Sequence, residues 1–137
     1  MEFTCELTVR LYDTDAAGFL FYGSQFRLAH AALEEFLQHL GLPIGEVLRR
    51  REVLFPVVHA EADYRAPLSA GDRLTVRVGV RAIGERSFTI AYRFLLPGGR
   101  EAGGALTVHS ALDTATGASC PLPEALRAAL GPYLDVA

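Results

Sequence analysis

No stretch of this 137-residue chain is long and apolar enough to span a bilayer. Its first residues, MEFTCELTVRLYD, alternate polar and apolar side chains and lack the basic region and apolar run of a secretory signal. Both absences point to a cytoplasmic protein. Cysteine is scarce: only Cys5 and Cys120 occur, far apart and without CxxC spacing. Two free thiols are the simplest reading, with one disulfide as the open alternative. A strong charge excess is missing too, since 16 acidic residues face 13 basic ones for a net charge of −3. No general attraction to nucleic acid or an anionic membrane follows, so any anionic ligand has to be held locally. Repeats, low-complexity segments and linkers are absent. With half of its residues hydrophobic, the stretch 1–137 has the size of one compact domain with a substantial core.

What is present is organised around residues 11–40, LYDTDAAGFLFYGSQFRLAHAALEEFLQHL. Two carboxylates, Asp13 and Asp15, end an extended segment, a glycine-containing turn follows, and a long apolar helix begins. In 3–11, Cys5, Leu7, Val9 and Leu11 alternate with polar residues, the period of a half-buried strand. Residues 13–24 contain Gly18 and Gly23 but also Phe19, Leu20 and Phe21, which predicts a packed loop. From Ser24 onward Phe26, Ala29, Leu33, Phe36, Leu37 and Leu40 recur at spacings of three and four. Ser24 is the expected N-cap, and Gly41 with Pro43 the stop.

A short helical turn is expected over 43–50, ending in Arg49, Arg50 and Arg51. Residues 53–66 are β-rich, and Pro56 and Pro67 argue for an edge or bulged strand. Alternating runs then follow: Leu74, Val76, Val78, Val80 and Ala82; Phe88, Ile90, Tyr92, Phe94 and Leu96; and Leu106, Val108, Ser110 and Leu112. Turns at Ser69-Ala70-Gly71-Asp72, Gly84-Glu85-Arg86 and Gly98-Gly99 separate them, and 123–130 reads as a short terminal helix. Short turns mean neighbouring antiparallel strands. The expected class is α+β, a five-stranded antiparallel sheet wrapped around one long helix. Such a sheet keeps open edges, so a homodimer or homotetramer is expected.

The run Tyr12-Asp13-Thr14-Asp15-Ala16-Ala17-Gly18, followed by Phe21-Tyr22 and a helix, resembles the DxDxxG motif of 4-hydroxybenzoyl-CoA thioesterase-like hotdog enzymes. The later block LFPVVHAEADYRAPLSAGDRLTV, with CPLPEAL near the end, is most similar to the 1,4-dihydroxy-2-naphthoyl-CoA thioesterase branch. The likeness extends over most of the chain. It implies hydrolysis of an aromatic hydroxyacyl-CoA, with coenzyme A as part of the substrate, no separate cofactor and no metal.

Thioester hydrolysis needs a group that attacks the carbonyl or delivers water to it, and donors for the oxyanion that develops. The resemblance gives the first role to Asp15, as nucleophile or general base. It gives the second to the backbone N–H of Tyr22, with Gly23 and Ser24 as neighbours, at the positive end of the helix. Gly18 and Phe21 fall inside the matched motif and are expected at the substrate site. His30 aligns where the family's helix meets the acyl ring, and His59 falls in the shared later block. Arg86 and Ser87 resemble an RKSF-type segment that contacts the CoA nucleotide, with Glu85 a departure from it.

Each assignment has a plainer counterpart. Without the resemblance, Asp15 reads as a loop carboxylate capping a turn, Tyr22 as a packed loop tyrosine, and His30 as a satisfied core or surface histidine. Asp13 reads as structural, bonding loop amides. His59, Glu61 and Asp63 alternate along one strand face; a polar face accounts for them better than a metal site. Arg49, Arg50 and Arg51 read as a solvated face. Two other activities stay open: a general short- or medium-chain acyl-CoA thioesterase, and a non-catalytic acyl-CoA-binding module.

Overall fold

The computed structural model describes residues 1–135. In chain order the elements are β1 (Phe3–Thr8), a 3-10 turn (Leu11–Asp13), α1 (Ser24–His39), α2 (Ile44–Arg50), β2 (Val53–Leu54), β3 (Val57–Tyr64), β4 (Arg73–Ile83), β5 (Ser87–Leu95), β6 (Glu101–Ser110), β7 (Leu112–Asp113) and α3 (Glu124–Leu130). The main sheet is antiparallel with strand order β1-β4-β5-β6-β3, and β2 and β7 form a separate two-stranded ribbon.

Alternation builds the centre of that sheet. Leu74, Val76, Val78 and Val80 of β4 and Phe88, Ile90, Tyr92 and Phe94 of β5 are all buried on one face. Against this face α1 lays Leu28, Ala29, Ala32, Leu33 and Phe36. Phe36 is fully buried between the rings of Phe3 and Tyr133, so cutting it to alanine would cost about 3–5 kcal/mol. The helix is not alone there: Leu126 and Leu130 of α3 join the same core.

The stop of α1 is as expected. Gly41 (φ +81°) donates to the Gln38 carbonyl (3.0 Å) and Leu42 to that of Leu37 (2.8 Å), the paired bonds of a Schellman motif. Its start differs. Gly23 occupies the N-cap and no side chain caps the first turn, so the Ser24 hydroxyl does not take that role.

Four further expectations change. β1 ends at Thr8 and Leu11 is exposed, because the chain tightens into the 3-10 turn that Asp13 closes. The inward face of β6 is Ala105, Thr107 and His109, with Leu106 and Val108 facing the other way; buried polar partners pair with the inward set. Leu112 belongs to the ribbon and not to β6. Finally, β3 does not neighbour β4. The join 65–72 carries the chain from one part of the sheet to another, and β3 becomes an edge beside β6 with a bulge after Val57. The edge position itself agrees with Pro56 and Pro67.

Candidate active site

The loop 14–23 is shaped by its own backbone. The Asp15 amide donates to the Phe19 carbonyl (2.9 Å), and the Gly18 amide donates to the Asp15 carbonyl (3.0 Å). Gly18 supplies the left-handed turn (φ +86°) that a side chain would resist. The Leu20 amide donates to Leu68 (2.7 Å) and the Phe21 amide to the Asp13 carbonyl (2.9 Å), which ties the loop to the join 65–72 and to its own base.

Asp13 is the anchor. It is fully buried, accepts the Arg10 amide (2.9 Å), and is held through both oxygens by the Arg27 guanidinium from α1. Burial alone would raise its pKa, but the bond from Arg27 and that from Arg10 more than offset this and hold it below the ordinary carboxylate range. Arg27 also lies 5.1 Å over the Tyr12 ring. The structural role expected of Asp13 is therefore filled, with Arg27 as a partner the loop sequence did not announce.

Asp15 is exposed in the single chain, and its Oδ1 accepts the Ala17 amide (2.9 Å), a turn within the loop. Phe21 and Tyr22 pack their rings at 4.6 Å and are both exposed. The backbone beside them is the informative part. The amides of Ser24, Gln25 and Phe26 donate to Phe21, Tyr22 and Gly23 carbonyls at 2.9, 3.4 and 3.2 Å. Ser24 is thereby excluded as an oxyanion donor. Among the described residues the amides of Tyr22 and Gly23 donate to nothing.

Two side chains missed in the sequence hold this corner. Gln25, which is buried, donates both amide hydrogens from Nε2, to the carbonyls of Asp63 of β3 and Gly104 of β6, each at 2.8 Å. Gly103 makes room for it, since a Cβ there would sit 2.3 Å from the Asp63 carbonyl oxygen. The Tyr64 hydroxyl, at the end of β3, donates to the Tyr22 carbonyl at 2.7 Å. Gln25 and Tyr64 line a groove of about 400 Å³ with Phe19, Leu20, Arg65 and Pro67. The polar residues were hard to foresee: Gln25 lies one position off the apolar stripe, and its partners are backbone carbonyls far away in sequence.

The other candidates sit on α1, on β3 and in the β4–β5 turn. His30 is exposed on α1 and pairs with Glu34 at 3.0 Å. His59 and Glu61 pair at 3.2 Å on β3, opposite Val108 and Leu106, hence on the sheet face away from α1. Arg86, in the β4–β5 turn, donates to the Ser119 carbonyl (3.0 Å) and hydroxyl (3.2 Å), and Ser87 opens β5 beside Ser110. Loop 14–23 adjoins the other end of the sheet, where Phe19 bridges to Ser69. The 11 residues of β4 separate the two ends by roughly 30 Å. Deeper in the sheet, Tyr92, Thr107 and His109 form a buried chain (3.0 and 2.9 Å) that ends on the Phe55 carbonyl (3.1 Å).

Residues 9–130 match the Thioesterase-like superfamily. The 1,4-dihydroxy-2-naphthoyl-CoA hydrolase of Synechococcus elongatus is 33% identical over 127 residues, covering 92% of this chain and 93% of the relative. That of Synechococcus sp. strain CC9605 is 39% identical over 122 residues, covering 85% and 81%. Among solved structures, a 1,4-dihydroxy-2-naphthoyl-CoA thioesterase from Synechocystis superposes with TM-score 0.88 at 27% identity over 96% of both chains. A gentisyl-coenzyme A thioesterase does so with TM-score 0.83 at 29% identity, over 93% of this chain and 98% of that one. With an ordered match from Val9 to Leu130, this chain belongs to the Thioesterase-like superfamily.

Proposed function

We propose that the protein hydrolyses an aromatic hydroxyacyl-CoA to the free acid and CoA, with 1,4-dihydroxy-2-naphthoyl-CoA, an intermediate of quinone biosynthesis, as the leading substrate and the cytoplasm as its location. The observation that carries this reading is the pair of unspent amides, Tyr22 and Gly23, next to the loop that bears Asp15. The names borne by relatives over nearly the whole chain support the substrate class.

In this reading the thioester carbonyl oxygen points at the two amides, which stabilise the negative charge it gains in the tetrahedral intermediate. Asp15 attacks the carbonyl carbon, or takes a proton from the water that does. When the C–S bond breaks, the electron pair leaves with sulfur as CoA thiolate. If Asp15 bonded the acyl group, water then cleaves the anhydride and frees the carboxylate. Both routes consume one water and need no cofactor. His30 faces the acyl ring; Phe21 and Gly18 border the same site.

Two copies complete the site. Among the described residues β3 is bonded on one side only, and Val57, Val58 and Tyr64 along it are 49%, 62% and 49% exposed. Tyr64 ends β3 near loop 14–23, whereas Val57 starts it near the Arg86 turn, where Ser110 donates to Pro56 (3.1 Å). Antiparallel pairing of two β3 edges about a two-fold axis brings one chain's Arg86 and Ser87 beside the other's Asp15. A CoA nucleotide at Arg86 and a thioester at Asp15 therefore belong to different copies. In that assembly His59 faces the outside of the joined sheet.

A thiol-release assay over benzoyl, naphthoyl and aliphatic CoA esters tests the reading. Hydroxylated aromatic esters are expected to be cleaved fastest. Faster aliphatic turnover would mean a general acyl-CoA thioesterase, and saturable binding without thiol release a binding module.

A further inference from the structure

The geometry points to Tyr64 as the residue that aims the oxyanion donors: its hydroxyl fixes the Tyr22–Gly23 peptide so that the Gly23 amide joins that of Tyr22. The inference rests on the thioesterase reading and adds to it a positioning residue from the edge strand.

The trans peptide is rigid and planar. Its C=O and N–H point in opposite directions within one plane, so whatever holds the carbonyl sets where the amide looks. The Phe21 carbonyl is taken by the Ser24 amide at 2.9 Å, which turns the Tyr22 amide out of the helix's amino end. The next peptide is held less well by the helix alone, because the Gln25 amide reaches the Tyr22 carbonyl only at 3.4 Å. No side chain caps the first turn of α1. The 2.7 Å bond from Tyr64 is therefore the strong tie on that carbonyl, and it leaves the Gly23 amide facing away from β3 with no acceptor among the described residues.

Two features suit Tyr64 to this task. Gln25 bonds the carbonyl of the preceding residue, Asp63, so the strand end and the helix start are tied together. Burial, and then the neighbouring Tyr22, raise the Tyr64 pKa above the ordinary tyrosine value of 10.0, which keeps the hydroxyl protonated and donating throughout the working range.

Tyr64→Phe removes the hydroxyl and keeps a half-exposed ring, so the fold is retained. It is expected to lower kcat about tenfold, less than deleting a donor outright, while KM and the affinity for benzoyl-CoA stay unchanged. The distinguishing readout is vibrational. With benzoyl-CoA bound to the Asp15→Asn protein, the thioester carbonyl stretch should lie below its frequency in water, and adding Tyr64→Phe should remove a large part of that shift. An undiminished shift with Tyr64→Phe in place overturns the role of Tyr64 and leaves the thioesterase reading standing. No thiol release by the wild-type protein, or undiminished release by Asp15→Asn, overturns that reading and the inference with it.

Discussion

Asp13 and Asp15 are two positions apart and have opposite surroundings. Asp13 is sealed under Arg27 with all of its charge compensated; Asp15 spends one oxygen on a local amide and is open to solvent. Removing the charge at Asp13 breaks its charge-assisted bonds to Arg27, whose exposed guanidinium water can still solvate, so Asp13→Asn should cost about 1–3 kcal/mol in denaturant unfolding. Because its folded pKa is depressed, its contribution is present above the ordinary value of 3.8 and is lost as pH falls through the lower, folded one. An acid titration of stability should show this loss in the wild type and lack it in Asp13→Asn. His109 has the matching behaviour near neutrality. Burial, reinforced by His30 and only partly opposed by the Phe55 carbonyl, lowers its pKa from 6.5. The native state thus declines a proton that the unfolded chain accepts. Stability should fall as pH drops below about 6.5, and His109→Gln should flatten that slope when melting is followed against pH. The DxDxxG spacing made both carboxylates legible. Arg27, Tyr64 and His109 were not, because their significance comes from partners 14, 42 and 54 positions away.

At the scale of elements, glycines mark where the backbone is least free to change. At Gly41 the constraint is conformational, and alanine there should cost about 1 kcal/mol. At Gly103 it is contact: a Cβ would stand 2.3 Å from the Asp63 carbonyl oxygen and 3.1 Å from Gln25 Nε2. Gly103→Ala should therefore destabilise the protein more than Gly41→Ala and also slow turnover, since β3 can no longer hold the start of α1. Comparing melting temperatures with turnover rates checks both. The helix stop, the edge character of β3 and the alternation of β4 and β5 were readable from periodicity and punctuation. The face of β6 was not, since its inward residues include Thr107 and His109, which hydrophobic alternation assigns to solvent. Nor was the crossing of 65–72, because a short join does not reveal which neighbour it skips.

At the scale of the whole molecule, the two ends of the sheet carry different chemistry, with Asp15 at one and Arg86 at the other. If they serve one CoA ester only across a pair of chains, an Asp15→Asn copy and an Arg86→Ala copy are each impaired. Their mixture after subunit exchange should regain activity, because one of the two sites in a mixed dimer holds both native residues. A mixture no more active than the sum of its parts would place both groups in one chain's site. The α+β architecture and the family were legible from the order of motifs along the chain. The pairing of copies was only inferable, since no residue announces it.

All of this depends on the carboxylate at position 15 acting beside the Tyr22 and Gly23 amides. The most direct measurement is single-turnover thiol release from 1,4-dihydroxy-2-naphthoyl-CoA by Asp15→Asn, with melting temperature and ester affinity recorded on the same sample. The expected result is unchanged folding and binding with release lowered by at least about a thousandfold. Release at the wild-type rate would contradict the account.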